Sequence, residues 1–176
     1  MRYPAQETAE KHDRIVEEAS RLFRERGFEN VTVGEVMKAA GLTHGAFYAH
    51  FKSKEDLQAA AVAYGQGISL GSVQRAYGKK GGEAAYAGSY LSPKHRDNPG
   101  DGCTMATLAQ EISRSTPEAR EALEKGLQDI LSAMGGDRKD AIYRSAAMIG
   151  AVVLARAVQN KPFSDEILRS VHERLD

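Results

Sequence analysis

The feature that most constrains this sequence is the helical spacing of its apolar residues. Between residues 9 and 26 they fall on one stripe, and the stripe ends at Gly27, where a helix typically stops. The stripe consists of Ile15, Ala19, Leu22 and Phe23. Thr32 and Glu35 then have the spacing of a capping box, which predicts a second helix of about two turns that ends at Gly41. The chain is therefore predicted to begin with two amphipathic helices.

Two further N-cap patterns follow directly. Thr43 is predicted to cap a third, short helix that turns Phe47 and Phe51 inward. Ser53, with Asp56 three residues later, is predicted to cap a fourth helix. Because only a few residues connect these segments, the first part of the chain has no room for a sheet.

The remainder of the chain is also typical of helices, apart from one segment. Residues 91–102 are rich in Pro, Gly, Asn and Asp and are predicted to form a loop. Helices are predicted for residues 103–113, for 117–134, for a segment that Asp137 opens and that includes 141–158, and for 164–175. No run of alternating strand residues occurs. The predicted fold class is all-α.

Composition excludes several classes of protein. The 176 residues include 24 Lys and Arg against 24 Asp and Glu, so a basic shell that binds nucleic acid by charge alone is excluded. The single cysteine, Cys103, excludes a disulfide framework and a cysteine zinc cluster. The histidines lack ligand spacing, so we expect no metal site and no cofactor. The first ten residues contain no apolar stretch, and we expect a cytoplasmic protein without a membrane anchor.

The first three predicted helices have the layout of a helix-turn-helix, a motif that places its second helix in a DNA major groove. This spacing alone is common in helical proteins, but the charge placement favours DNA binding. No acidic residue occurs between Val36 and Lys54, whereas Lys38, His44, His50 and Lys52 do. A DNA phosphate would therefore approach this segment without repulsion.

At these residues the sequence resembles the DNA-binding domain of the tetracycline-repressor (TetR) family of bacterial regulators. The resemblance is carried by RIVEEASRLFRERGF at residues 14–28 and by VTVGEVMKAAGLTHGAFYAHFKSKEDL at residues 31–57. It implies a homodimeric, all-helical repressor that binds a palindromic operator and is released by a small-molecule inducer. Residues 1–53 would be the helix-turn-helix domain, and residues 54–176 the helical inducer-binding and dimerisation domain.

The resemblance also implies roles for individual residues. The family's recognition helix faces base edges and phosphates at positions matched by Thr43, His44, Gly45, Ala46 and Tyr48. Contacts to the phosphate backbone are implied for Thr32, Tyr48, His50, Lys52 and Lys54. The chemistry agrees, because hydroxyl and N–H groups bind phosphates and the imidazole of His44 can donate to guanine.

A dimer interface is expected at the end of the chain. Residues 141–158 are mostly apolar or small, but Arg144 and Arg156 make a membrane span costly, so burial in a soluble protein is the better interpretation. In the family, the last two long helices pair across a two-fold axis. The predicted interface residues are Ala147, Gly150, Ala151, Leu154, Ile167, Leu168 and Val171.

The inducer itself is not identified by the sequence. Its predicted contacts are Tyr64, Tyr86, Tyr90, Cys103 and Met105. Cys103 leaves two interpretations open: a packing cysteine, or a thiol that senses oxidants or electrophiles, as in some regulators of this family. A remote alternative is a small helical enzyme or carrier that uses Cys103 and His95. The N-terminal resemblance favours a regulator that is not an enzyme.

Overall fold

The computed structural model describes residues 4–175, and every regular element in that range is helical. Nine α-helices are present there: α1 (Pro4–Arg26), α2 (Val33–Ala39), α3 (Lys54–Tyr77), α4 (Gly82–Tyr90), α5 (Pro93–Asp97), α6 (Thr104–Ile112), α7 (Pro117–Met134), α8 (Arg138–Ala157) and α9 (Lys161–Leu175). Two 3₁₀ helices, His44–Ala49 and Pro99–Asp101, complete the chain path. The all-α prediction is confirmed.

Most helix boundaries follow the predicted caps. The Thr32 and Glu35 capping box makes both of its hydrogen bonds at the start of α2. Ser53 accepts the Asp56 N–H at the start of α3, at 3.2 Å. Gly27 and Gly41 end the first two helices at φ of 81° and 71°, a conformation that glycine adopts without strain.

Two local predictions were wrong. The third helix is a 3₁₀ helix, and the Thr43 side chain makes no capping hydrogen bond to it. Residues 91–102 are not a plain loop, because α5 and the 3₁₀ helix Pro99–Asp101 lie within them. The Ser92 and Pro93 pair explains the second error: Ser and Pro are common in turns, but here they serve as the N-cap and first residue of α5.

The N-terminal core holds the helix-turn-helix together. Phe47 is 1% exposed and its ring packs against that of Phe51, with centroids 5.7 Å apart. The first turns of α3 add Leu57, Ala61 and Val62 to this core, and α6 and α7 add Leu108, Ile112 and Ala119. The predicted domain boundary at residue 53 stays a prediction. The helix that follows it, α3, packs against α1 and contributes to the N-terminal core.

A buried polar junction joins α1, α3 and α6. Arg24 of α1 is 7% exposed and donates to the Gly100 carbonyl oxygen from Nε at 2.9 Å and from Nη2 at 2.6 Å. Its third nitrogen, Nη1, contacts Ser20, whose hydroxyl donates to the Ala61 carbonyl oxygen at 2.8 Å. A Cβ atom at Gly65 would lie 2.8 Å from Arg24 Nη1 and would also collide with Thr104 Oγ1. Glycine at residue 65 therefore permits this close approach.

We expect Gly65→Ala to lower the free energy of unfolding by about 1–3 kcal/mol, because the added methyl overpacks the junction. Gly67→Ala is the matched control, since Gly67 lies on the same helix with nothing within 4 Å of its Cβ position. That change should stabilise the protein by up to about 1 kcal/mol through helix propensity. Urea unfolding of both variants measures the difference, and equal stability would contradict the packing argument.

Candidate nucleic-acid interface and ligand cavity

The 3₁₀ helix presents a polar face that two buried rings hold in place. Phe47 and Phe51 anchor it, and the Tyr48 ring packs edge-on against Phe47 while remaining 71% exposed. Thr43, His44 and Gly45 are exposed, Ala46 is half-buried, and nothing lies within 4 Å of a Cβ at Gly45. The surface is therefore open to close approach by another molecule.

Thr32 lies at the start of α2 with its polar groups already bonded. Its backbone N–H and its hydroxyl both donate to Glu35 Oε2, each at 2.8 Å. These bonds lower the pKa of Glu35 to about 2, and the backbone N–H of Thr32 contributes most. Arg26, whose Nη1 lies 2.9 Å from Glu35 Oε1, lowers it further. A phosphate contact from the Thr32 hydroxyl must therefore replace a bond to a carboxylate.

His50 is half-buried behind the exposed face. Its ring lies 6.0 Å from that of His12, which stacks on Phe51 at 4.7 Å. Burial, and then the neighbouring His12 and Lys11, lowers the pKa of His50 below its usual value. The imidazole is thus neutral near pH 7 and offers a hydrogen bond rather than a charge.

Lysines border the face on two sides. Lys38 and Lys52 are exposed, and Lys54 is half-buried at the start of α3. The Lys52 backbone N–H donates to Asp56 Oδ2 at 3.1 Å, so the backbone is fixed while the side chain extends into solvent. The stretch without acidic residues, 36–54, is flanked in the sequence by Glu35 on one side and by Glu55 and Asp56 on the other.

A cavity of about 310 Å³ opens between α3, α4 and the segment that leads into α6. Three of the residues predicted to contact the inducer, Tyr86, Tyr90 and Cys103, line it, and they also line a narrower inner pocket that Met105 completes. Tyr64 does not line this cavity, because it lies on a different face of α3 and packs against the N-terminal core. Ser69 on the cavity wall was not predicted, although its spacing from Val73 on α3 was available as a signal.

His95 and Cys103 meet in this wall, but not as a nucleophile and its base. His95 Nδ1 donates to the Tyr90 carbonyl oxygen at 2.7 Å, and Nε2 accepts the Cys103 backbone N–H at 3.1 Å. Both ring nitrogens are thus used by the backbone, and burial lowers the pKa of His95. The Cys103 side chain is 6% exposed. This geometry gives no support to the enzyme alternative.

Arg156 of α8 fixes the same wall from the other side. Its Nε donates to the Arg96 carbonyl oxygen and its Nη2 to the His95 carbonyl oxygen, each at 2.9 Å. Desolvation by burial is the main cause that lowers the pKa of Arg156. Arg156, whose charge argues against a membrane span in the sequence, therefore holds the cavity wall in place through hydrogen bonds.

The last two helices leave an apolar face uncovered. On α8 the outward positions are Ile142, Tyr143, Ala146, Ala147, Gly150, Val153, Leu154 and Ala157. Two predicted interface residues do not belong to this face: Ala151 is 3% exposed and Leu168 is 2% exposed, because both pack in the protomer's own core. On α9, the predicted interface residues Ile167 and Val171 are half-buried. Phe163 of the same helix, which was not predicted, is 49% exposed.

None of the helices in residues 4–175 is long and apolar enough to cross a membrane. Over the same range, no three His, Cys, Asp or Glu residues form a group that could hold a metal ion.

Comparison with known proteins bears on the first third of the chain. Residues 15–61 match the profile of the family described as bacterial regulatory proteins, tetR family. The chain is 44% identical over 61 residues to the uncharacterized HTH-type transcriptional regulator YerO of Bacillus subtilis, covering 35% of this chain and 21% of that protein. It is 48% identical over 52 residues to the HTH-type transcriptional regulator AcrR of Shigella flexneri, covering 30% and 24%. Each match thus spans less than a quarter of the relative's length.

Solved structures extend the likeness of fold to nearly the whole chain. The reduced form of E. coli NemR superposes with a TM-score of 0.80 at 20% identity, over 94% of this chain and 95% of that one. A TetR family transcriptional regulator from Cytophaga hutchinsonii superposes with a TM-score of 0.75 at 18% identity, over 96% and 94%. At these identities the likeness concerns the fold alone.

The anchored helix-turn-helix with its exposed polar face has the architecture of a DNA-binding domain, and it is joined to a helical C-terminal part. The profile match shows that residues 15–61 belong to the family of tetR bacterial regulatory proteins, and the fold of the chain is like that of a solved TetR family structure. The family predicted from the sequence is confirmed for this segment.

Proposed function

We propose that this protein is a cytoplasmic homodimeric repressor that binds a palindromic DNA operator and is released when a small molecule enters the cavity. One observation carries the proposal: the cavity wall and the DNA-binding domain share a structural segment. Asp101, Gly102 and Cys103 line the cavity, and the carbonyl oxygen of the adjacent Gly100 accepts two hydrogen bonds from Arg24 of α1. A molecule that moves this wall also moves α1.

The exposed face of the 3₁₀ helix would lie in the major groove. We assign base contacts to His44, with Gly45 and Ala46 allowing the backbone to approach, and phosphate contacts to Thr43, Tyr48, Lys52 and Lys54. Thr43 suits this role because its hydroxyl makes no capping bond. Thr32 must give up a bond to Glu35, and His50 contributes a neutral donor, so both are weaker contacts.

We expect Lys52→Ala to reduce the salt dependence of DNA binding. Each copy in a dimer would lose one phosphate contact, so the slope of log K against log[salt] should fall by about two units, roughly 0.9 for each neutralised phosphate. Because a phosphate contact carries no base information, affinity for random DNA should fall by a similar factor. Titrations at several salt concentrations would use an operator selected from random-sequence DNA.

Lys80→Ala is the matched control for charge, since Lys80 is an exposed lysine in the turn between α3 and α4. It should leave the slope unchanged. A loss of affinity in Lys52→Ala that is confined to the operator would show that the phosphate assignment is wrong.

A second link ties α6 to the DNA-binding domain. Glu111, near the end of α6, accepts the Phe28 backbone N–H at 2.6 Å, directly after the turn at Gly27 that ends α1. The start of α6 follows Cys103 in the cavity wall. The helix therefore connects the cavity to the end of α1 that precedes the helix-turn-helix, and Arg24 holds the segment before it. Both links favour transmission of wall movement to the DNA-binding face.

The coupling can be tested without any ligand by displacing the wall. An added Cβ at Gly102 would lie 2.8 Å from His95 Nε2 and 3.3 Å from Arg156 Nη2, so the wall must shift to accommodate Gly102→Ala. We expect this change to weaken operator binding by roughly 5- to 150-fold, the usual range of an allosteric coupling. In an Arg24→Met background, which removes the link to Gly100, the same change should have little further effect.

The measurement is a double-mutant cycle of operator affinity on variants that remain folded by circular dichroism. Gly67→Ala, a substitution at an exposed glycine of α3, serves as the control and should not change affinity. Additive effects of Gly102→Ala and Arg24→Met would contradict the proposed coupling.

We assign the uncovered face of α8 to a second copy of the chain. Its residues repeat at three- and four-residue intervals, as required of one helix face, and Leu154 and Tyr143 on it are 58% and 64% exposed. Gly150 lies at its centre with nothing within 4 Å of its Cβ position, so two helices could approach closely there. The proposed interface keeps Ala147, Gly150 and Leu154, with Ile167 and Val171 at its edge.

Gly150→Leu should weaken this dimer without harming the protomer. The side chain has open space within one copy but would overpack a close helix pair, at a cost of about 1–3 kcal/mol. Gly67→Leu is the matched control, a glycine-to-leucine change on an exposed helix face elsewhere. Sedimentation equilibrium of both variants measures the dissociation constant, and a parent protein that is monomeric at micromolar concentration would refute the interface.

A second candidate function is supported by the place of Cys103. Its side chain lines the cavity, so a molecule that enters reaches the sulfur. If the switch is covalent, the Cys103 thiol loses its proton to solvent, the thiolate adds to the β-carbon of an unsaturated carbonyl compound, and the enolate that forms takes a proton back from solvent. That candidate requires a reactive ligand, whereas the first candidate requires only occupancy of the cavity.

A further inference from the structure

We propose that a groove beside the helix-turn-helix binds an aliphatic diamine, one of whose ammonium groups donates a hydrogen bond to the side-chain amide oxygen of Gln58. The groove has a volume of about 480 Å³. It shares no lining residue with the cavity that the proposed function assigns to the inducer, so it would be a second, separate site. The inference is carried by the place of the groove, the buried Gln58 amide and the charge of the lining.

Three parts of the chain meet at this groove. Phe28 and Glu29 follow the turn that ends α1, and residues of the segment 111–116 join α6 to α7. Glu55 and Gln58 of α3 lie three residues apart and therefore on one face of that helix. The groove thus lies where the helix-turn-helix meets the C-terminal helices, and its volume is within the usual range for small-molecule sites.

The Gln58 side chain is a buried polar group that the fold leaves without a partner. It is 6% exposed, yet it makes no hydrogen bond with any residue between 4 and 175. A buried amide is normally bonded, because it loses its bonds to bulk water on folding. The open space that Gln58 meets is the groove. A molecule held there can therefore supply the missing hydrogen bond.

The second buried glutamine of α3 shows what a structural amide does in this fold. Gln66 is 2% exposed, and its Nε2 donates to the Leu123 carbonyl oxygen of α7 at 3.2 Å. It also packs tightly, since a Cβ at Gly126 would lie 2.4 Å from the Gln66 Cβ. The amide of Gln66 thus joins two helices, whereas that of Gln58 joins nothing in the described chain.

The charge of the lining favours a cation. Glu29, Glu55 and Glu111 contribute three carboxylates and Arg114 one guanidinium, which leaves two negative charges. Hydrogen bonds from its own backbone N–H and from Ser53 lower the pKa of Glu55, so that this carboxylate is ionised near pH 7. A concave surface with an excess of one charge attracts ligands of the opposite charge.

The spread of the carboxylates favours an extended organic cation over a metal ion. Within residues 4–175, no three acidic, His or Cys side chains form a group that could hold one metal. Glu111 is also partly used, because its Oε2 accepts the Phe28 backbone N–H at 2.6 Å. A chain with an ammonium group at each end can place its two charges at different carboxylates. Phe28 provides an apolar surface for the methylene groups between them.

Three probes of similar length separate charge from shape. Putrescine carries an ammonium group at each end of a butane chain, butylamine carries one, and butanediol has neutral hydroxyls at both ends. Isothermal titration of the full chain without DNA should give the tightest binding for putrescine and the weakest for butanediol. Added salt should weaken putrescine binding. Equal affinities for putrescine and butanediol, or no heat of binding with millimolar putrescine, would overturn the inference.

Gln58→Leu removes the amide and nearly keeps the volume of the side chain. Putrescine affinity should fall about tenfold or more, as for a lost hydrogen bond to a charged group. The free energy of unfolding should rise, because the amide had no partner, whereas loss of a structural glutamine would lower it. Gln74→Leu is the matched control, an exposed glutamine on the same helix, and it should leave putrescine affinity unchanged.

Unchanged putrescine affinity in Gln58→Leu would contradict the assignment. If that variant does not fold, the parent protein still decides the question. The side-chain amide signal of Gln58 in a nitrogen-proton correlation spectrum should move as putrescine is added, and a signal that stays in place rules out the proposed hydrogen bond.

Charge variants test the lining in both directions. Glu55→Gln should weaken putrescine binding by about two- to fivefold, the usual effect of one exposed charge pair. Arg114→Gln should tighten it by a similar factor, because a like charge is removed. Glu83→Gln is the matched control, since Glu83 lies in the first turn of α4 as Glu55 does in α3, and it does not line the groove. An effect of Glu83→Gln equal to that of Glu55→Gln would show general attraction to the protein surface and refute the site.

Discussion

The burial of the Arg24 guanidinium is the interaction on which the arrangement of the two halves depends. A buried cation is tolerated only where its protons find acceptors, and here the Gly100 carbonyl oxygen takes two of them while Asp101 opposes the loss of charge. The contact requires glycine at residue 65, so that α3 leaves room for the side chain. The path of residues 99–103, and with it the cavity wall, is therefore set by a residue of the first helix.

Arg156 repeats the same principle on the opposite side of the wall. Its guanidinium donates to the backbone of residues 95 and 96, and His95 in turn bonds Tyr90 and Cys103 through its two nitrogens. The wall is thus fixed between two arginines from distant helices, through backbone atoms rather than side chains. A segment held in this way would carry the coupling that we propose between the cavity and the DNA-binding face.

The local structure could largely be predicted from sequence because its causes are local. The capping box of Thr32 and Glu35, the Ser53 cap and the inward pair Phe47 and Phe51 involve residues three or four positions apart, and each was found where expected. The errors have a local reason too. Ser and Pro serve both turns and helix starts, so the segment before Cys103 was predicted as a loop. The six-residue helix at residue 44 has too few turns for its pattern to distinguish a 3₁₀ from an α-helix.

The sequence by itself determined the helical fold class, the helix-turn-helix and the family, since these depend on periodicity and on a motif of contiguous residues. Only the tertiary structure decided which polar groups are satisfied and which apolar ones are covered. It placed Tyr64 against the N-terminal core and buried Ala151 and Leu168 within the protomer. It also bonded both ring nitrogens of His95 to backbone atoms. Contacts of this kind join residues far apart in the chain, and no short-range pattern specifies them.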